Sequence, residues 1–182
     1  MPSEYHIKVT LVDSAPAIWR RLVVPGETTL AKLDRILQAA FGWTNSHLHE
    51  FIDPQDNRYG TPDPEWNPDV IDERKRTLAE VCPESGSELL YIYDMGDSWE
   101  HLIHVEKIDS GAKKAPPLEC LDGAMNGPPE DCGGVWGYAN LIEALGDKNH
   151  PEHEDLADWI GGTYDTERFD KAETNTLLKK IR

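Results

Sequence analysis

The chain has 182 residues, with 18 Lys and Arg against 34 Asp and Glu, for a formal net charge of −16 with histidine neutral. That length suits one compact domain with a full core. The charge argues against gripping a phosphate backbone, which needs a basic stripe to displace counterions.

The acidity is uneven: residues 1–60 carry a net −1, residues 61–109 carry −9 and residues 110–182 carry −6. The opening MPSEYHIKVTL has no basic segment followed by an apolar one, and no window reaches the roughly 18 apolar residues of a membrane helix. A cytoplasmic location with no membrane partner is therefore expected. Three cysteines, Cys82, Cys120 and Cys132, make an odd count that predicts free thiols rather than a disulfide framework.

Residues 1–52 read ββαβ. Ile7, Val9 and Leu11 alternate with His6, Lys8 and Thr10, the period of a half-buried strand, and after Ser14-Ala15-Pro16 a second strand carries Ile18, Arg20, Leu22 and Val24 on one face. Leu30, Leu33, Ile36, Leu37, Ala40 and Phe41 then fall at helical spacing behind a Thr28 or Thr29 cap, and Gly42 closes the run. HLHEFI, residues 47–52, predicts a third strand with His47, His49 and Phe51 on one face. Residues 53–87 read as an irregular excursion: they hold Pro54, Pro62, Pro64 and Pro68, no apolar period survives, and only TLAEVC suggests a short helix.

Residues 88–108 predict a hairpin whose turn contains Asp94, Gly96 and Asp97. Residues 109–134 form a loop rich in Cys, Pro and Gly, and residues 135–182 turn helical around Leu141, Ile142 and Leu145, then Leu156, Trp159 and Ile160, then Phe169, Leu177, Leu178 and Ile181. The expected fold is α+β in a single domain: an antiparallel or mixed sheet of about five strands with helices packed against it.

In the turn YDMGDSW, Gly96 is expected to supply a positive φ and the aspartates to cap turn amides, which accounts for both by structure alone. Beyond the turn, Trp99 and His101 share a strand face. If the strand of His47 and His49 is a neighbour, then His47, His49, Asp94, Asp97 and His101 form a ligand set for a divalent metal. Asp97 and His101 are equally candidates for acid and base.

Cys132 precedes a predicted helix whose N-terminus would acidify its thiol, making it a candidate nucleophile. Cys120 and Cys132 with His150 and His153 form a weaker zinc pattern, against which simple loop thiols are preferred. Arg20 and Arg21, beside Trp19, offer an anion contact or, as paired arginines on an edge strand, solvation and carboxylate partners. Walker, GxGxxG, HExxH and GxSxG signatures do not occur.

IWRRLVVPGETTLAKLDRILQAAFGWTNSHLHEF, YIYDMGDSWEHLIHVEKI, CLDGAMNGPPEDCGGVWGYANLIEALGD and DWIGGTYDTERFD together resemble the plasmid pRiA4b ORF-3-like family, from about Tyr5 to Asn175. The resemblance implies a compact α+β fold and assigns no activity. Its motif positions here are Trp19, Arg20, Trp43, His47, Phe51, Tyr93, Asp94, Gly96, Asp97, Trp99, His101, Cys120, Gly123, Pro128, Pro129, Glu130, Asp131, Cys132, Gly133, Gly134 and Tyr138. Members occur beside transposable elements and some carry a resolvase label, but the −16 charge and the lack of a basic recognition helix speak against a DNA transaction here.

The expected function is a binding or interaction module with an acidic, aromatic cleft lined by Trp43, His47, Asp94, Trp99, Glu130 and Asp131. It would take a protein or small-molecule partner of basic character. The alternative is a metal-dependent, hydrolase-like enzyme using the His and Asp set.

Overall fold

A computed structural model describes residues 3–111 and 116–181. β1 (Ser3–Leu11) turns Tyr5, Ile7, Val9 and Leu11 inward, as its alternation predicts. β2 (Trp19–Pro25) returns antiparallel beside it, with Ile7 opposite Leu22 and Val9 opposite Arg20. In α1 (Leu30–Phe41), the Thr29 side chain accepts from Lys32 N and satisfies an orphan amide of the first turn, while Gly42 ends the helix at φ 83°. The apolar stripe of α1 enters the same core as the inward residues of the sheet.

β3 (His49–Ile52) follows, then β4 (Arg58–Gly60), β5 (Ile71–Asp72), a 3-10 turn at Glu73–Lys75 and α2 (Leu78–Val81). A capping box starts α2: the Thr77 side chain takes Glu80 N while the Glu80 carboxylate takes Thr77 N. β6 (Glu88–Tyr93) and β7 (Trp99–Ser110) form the expected hairpin, and β8 (Glu119–Ala124) precedes α3 (Gly134–Gly146), α4 (His153–Ile160) and α5 (Lys171–Leu178).

One sheet of eight strands results, in the order β5-β4-β3-β6-β7-β1-β2-β8. Only β4 with β5 is a parallel pair, so the sheet is mixed. The α+β class is as the sequence predicts, but the count of about five strands is too low. The additional strands, β4, β5 and β8, lie within the stretches expected to be irregular. They are two to six residues long and sit toward the sheet's two edges, where pairing needs little apolar alternation; in β8 Cys120 alone is buried.

β8 has a structural consequence: β2 is not an edge strand, and Arg20 is interior at 3% exposure. Arg21, on the opposite face, forms a two-pronged ion pair with Glu106 at 2.7 and 2.8 Å. Cys82, Cys120 and Cys132 are unpaired. Among the described residues no helix is long and apolar enough to cross a membrane.

Candidate functional site

The β6–β7 turn is built on its aspartates rather than on glycine. Asp94 at φ 59° and Ser98 at φ 52° take the left-handed conformation, and Gly96, expected to supply it, does not. Asp tolerates this region because its short side chain bonds locally. Here Asp94 Oδ1 accepts from Gly96 N at 2.9 Å. Asp97 reaches further: its Oδ2 accepts from Gly133 N at 3.0 Å and ties the hairpin to the PPEDCGG loop.

Two glycines permit that contact. A Cβ on Gly134 (φ 67°) would stand 2.5 Å from the Asp97 carbonyl oxygen, and one on Gly127 would stand 1.8 Å from the carbonyl oxygen of Phe41. The loop is thus clamped between the end of α1 and the hairpin turn.

His101 does not join a metal site. It is fully buried, and Nδ1 lies 2.9 Å from the Trp99 carbonyl while Trp43 Nε1 donates a long bond to Nε2 at 3.4 Å. Those partners assign the proton to Nδ1 of a neutral ring. Burial pushes its pKa down to about 4, against the smaller opposing pull of the Trp99 carbonyl. Both nitrogens are engaged away from solvent, which removes His101 as ligand and as acid or base. Trp43 and Trp99, at 6% and 0% exposure, are core residues rather than the expected recognition surface, whereas Trp136 is 89% exposed.

His49 also leaves the set. Its Nε2 lies 2.8 Å from Glu73 Oε2 and its Nδ1 lies 3.3 Å from Asp34 Oδ1, while Tyr91 donates to Asp34 and Gln38 donates to Tyr91. Burial alone would lower the pKa of His49, but the hydrogen bond to Glu73 and the charge of Asp34 outweigh it and raise it. Burial raises that of Asp34, against the pull of His49 and Tyr91. The trio is a structural ion-pair network binding α1, β3 and the 3-10 turn.

His47 and Asp94 do converge, and with the loop rather than with the second histidine. His47 Nε2 lies 2.9 Å from Asp131 Oδ1, 3.6 Å from Asp94 Oδ2 and 4.0 Å from Glu130 Oε2. Each inner carboxylate is fixed by one oxygen and offers the other. Asp94 spends Oδ1 on the turn, and Glu130 Oε1 accepts from Thr44 N, Thr44 Oγ1 and Tyr93 Oη at 2.7, 2.9 and 2.9 Å. Glu130 Oε2 and His47 Nε2 are buried atoms without a hydrogen-bond partner. The 2.9 Å approach of Asp131 to His47 has the length of a hydrogen bond but not its alignment, so it leaves Nε2 unsatisfied.

The weaker Cys₂His₂ pattern does not assemble among the described residues. Among the described residues, the groups with three ligand atoms within 4.8 Å of one another are His47, Asp94 and Asp131, and Glu4, His6 and Asp109. The second is accounted for by ion pairing, since His6 bonds Glu4 at 2.9 Å and Lys107 takes Asp109 at 2.6 Å.

Cys132 is a protonated thiol: burial, reinforced by Asp97, Asp131 and Glu130, pushes its pKa up to about 12, so the helix-acidified thiolate expected from sequence does not form. It lines a cavity of about 250 Å³ with Asp131, Asn140, Leu156 and Trp159.

Asp34 and Gln38 escaped the sequence reading although a signal existed: both lie on the Leu30, Leu37 and Phe41 side of α1 at three- and four-residue spacing, polar groups on an apolar face. Of the residues that hold Glu130, Tyr93 is among the motif positions and Thr44 carries no such signal.

Fold and site together define an α+β protein with a mixed sheet and a His-carboxylate cluster at one hairpin end. The chain belongs to the plasmid pRiA4b ORF-3-like protein family, whose model matches residues 3–173. The uncharacterised protein y4hQ of Sinorhizobium fredii is 39% identical over 181 residues, covering 98% of this chain and 92% of that protein. The crystal structure of a protein of unknown function, MM3350 from Methanosarcina mazei Go1, is similar at a TM-score of 0.84 with 34% identity, covering 95% of this chain and 98% of that one.

Proposed function

We propose that this protein is a divalent-cation-binding module. His47, Asp94 and Asp131 hold the ion, Glu130 is a fourth donor, and the ion presents an open coordination position to a ligand oxygen in the adjoining cavity. The observation that supports this reading is the pair of buried, unpartnered atoms, His47 Nε2 and Glu130 Oε2, beside the free oxygen of Asp94. Unsatisfied acceptors crowded together are costly unless a proton or a cation lies between them.

The spacing favours a cation. Donors bound at about 2.1 Å in tetrahedral or octahedral geometry stand about 3.0 to 4.2 Å apart, and the distances from His47 Nε2 are 2.9, 3.6 and 4.0 Å. One imidazole with carboxylates suits Zn²⁺, Mn²⁺ or Fe²⁺. The Asp131 side chain is 68% exposed, which leaves that side open to water or a ligand. The hydrolase-like alternative relied on His47, His49, Asp94, Asp97 and His101, of which His49, His101 and Asp97 are engaged with Glu73, the Trp99 carbonyl and Gly133 N.

Calorimetric titration of chelator-treated protein with Mn²⁺ and Zn²⁺ tests the proposal. One ion per chain is expected, with affinity reduced about 10- to 100-fold in Asp94→Asn, which keeps the turn-capping oxygen, and in His47→Ala. No binding, or equal binding by wild type and both variants, contradicts it.

A further inference from the structure

Arg20 is a buried cation without an ion-pair partner among the described residues. Its Nε donates to Ala40 O at 2.8 Å and its Nη1 donates to Trp19 O and Ala124 O at 2.8 and 2.9 Å. Phe41 and Phe169 cover its faces, with Cζ 5.2 and 4.6 Å from the ring centroids. All of these partners are neutral. They brace the end of α1 against β2 and β8, and the carbonyl of Ala40, in the last turn of the helix, is a favourable place for a cation.

Nη2 has no hydrogen-bond partner among the described residues, and Arg20 forms part of the wall of a cavity of about 120 Å³ with Phe41, Asn126, Arg168 and Phe169. Burial lowers the pKa of Arg20 to about 10, which leaves it charged at neutral pH. A guanidinium taken out of water without a counter-charge is costly, and an acceptor anion in the cavity relieves that cost.

We propose that this cavity binds the carboxylate of a small organic acid, which accepts from Arg20 Nη2. The acidic residues on the cavity wall decide the class of anion. Asp170 Oδ1 caps α5 by accepting from Glu173 N at 2.9 Å, and Glu173 is paired with Arg168 at 2.5 Å. These engaged carboxylates tolerate one added negative charge far better than the two of a phosphate dianion. The volume suits a molecule of a few heavy atoms whose short apolar part lies against Phe41 and Phe169. The site shares no residue with the proposed cation cluster, so either can fail without the other.

Titration of the ¹⁵N-labelled full chain with acetate, propionate, phosphate and chloride at constant ionic strength reads the site directly. Acetate and propionate are expected to give saturable amide shifts at Asn126, Phe169 and Thr174, with a dissociation constant on the order of 1 mM. Phosphate is expected to bind more weakly and chloride to leave those amides in place.

Arg20→Met also removes three structural hydrogen bonds, so the decisive variant is Ala39→Phe, which fills the cavity and leaves Arg20 intact. It should weaken acetate at least about tenfold, a change of about 1.4 kcal/mol. Shifts that never saturate, match those with chloride, or persist in Ala39→Phe overturn the site. Tighter binding of phosphate overturns the carboxylate assignment.

Discussion

Trp99 and His101 are unusual on an apolar strand; both are sealed inside an aromatic cluster, where His101 makes the side-chain polar contacts and Trp99 Nε1 has no partner among the described residues. His101 sits with Phe41, Trp43 and Tyr91 around it, at ring separations of 4.7, 6.2 and 5.4 Å, and its neutral ring bridges the Trp99 carbonyl and the Trp43 indole. This has a pH consequence. The folded pKa of about 4 lies below the ordinary histidine value, so as pH falls the unfolded chain takes up the proton first. The stability this site contributes is complete above about pH 6.5 and is lost progressively toward pH 4, by about 3 kcal/mol in all. Urea unfolding of wild type and His101→Gln across that window should show a shallower acid loss in the variant; parallel profiles would disprove a buried neutral histidine.

The PPEDCGG loop, at the scale of an element, brings the site together. Glu130 and Asp131 reach His47 because Gly127 and Gly134 let the loop backbone touch Phe41 and Asp97. Gly127→Ala should therefore cost about 1–3 kcal/mol of stability, as overpacking does, and should also weaken the cation. Unchanged chemical stability and affinity would show that the loop is not clamped.

The sequence placed His47, Asp94, Glu130 and Asp131 in one expected cleft, but it drew the metal set with His49, Asp97 and His101 instead of with the loop carboxylates. His47 and His49 have the same parity, which on a continuous strand would place them together; β3 begins only at His49, so His47 lies in the approach to the strand and is free to turn to the loop. The edge strands were missed for a related reason. β4 and β5 are three and two residues long, and β8 buries Cys120 alone, so none carries a hydrophobic period to read. β1, β2, α1 and the β6–β7 hairpin bury regular apolar faces and were readable for that reason.

Over the whole molecule, a charge of −16 governs which partners approach. An acidic surface concentrates cations and repels polyanions, so no gel shift of duplex DNA is expected at moderate salt, and a discrete salt-sensitive shift would revive the DNA-transaction reading. A cation bound only by the folded chain also stabilises it, by about 2.7 kcal/mol at 100 times the dissociation constant. Thermal unfolding of chelator-treated protein should move upward with Mn²⁺ or Zn²⁺, and Asp94→Asn should lose most of that shift.

The most direct test of the central claim is the metal content of protein purified without chelator or affinity tag, wild type beside Asp94→Asn. Close to one Zn, Mn or Fe per wild-type chain is expected, with a large loss in the variant. A stable, metal-free wild type that also fails to take up any of the three ions would contradict it.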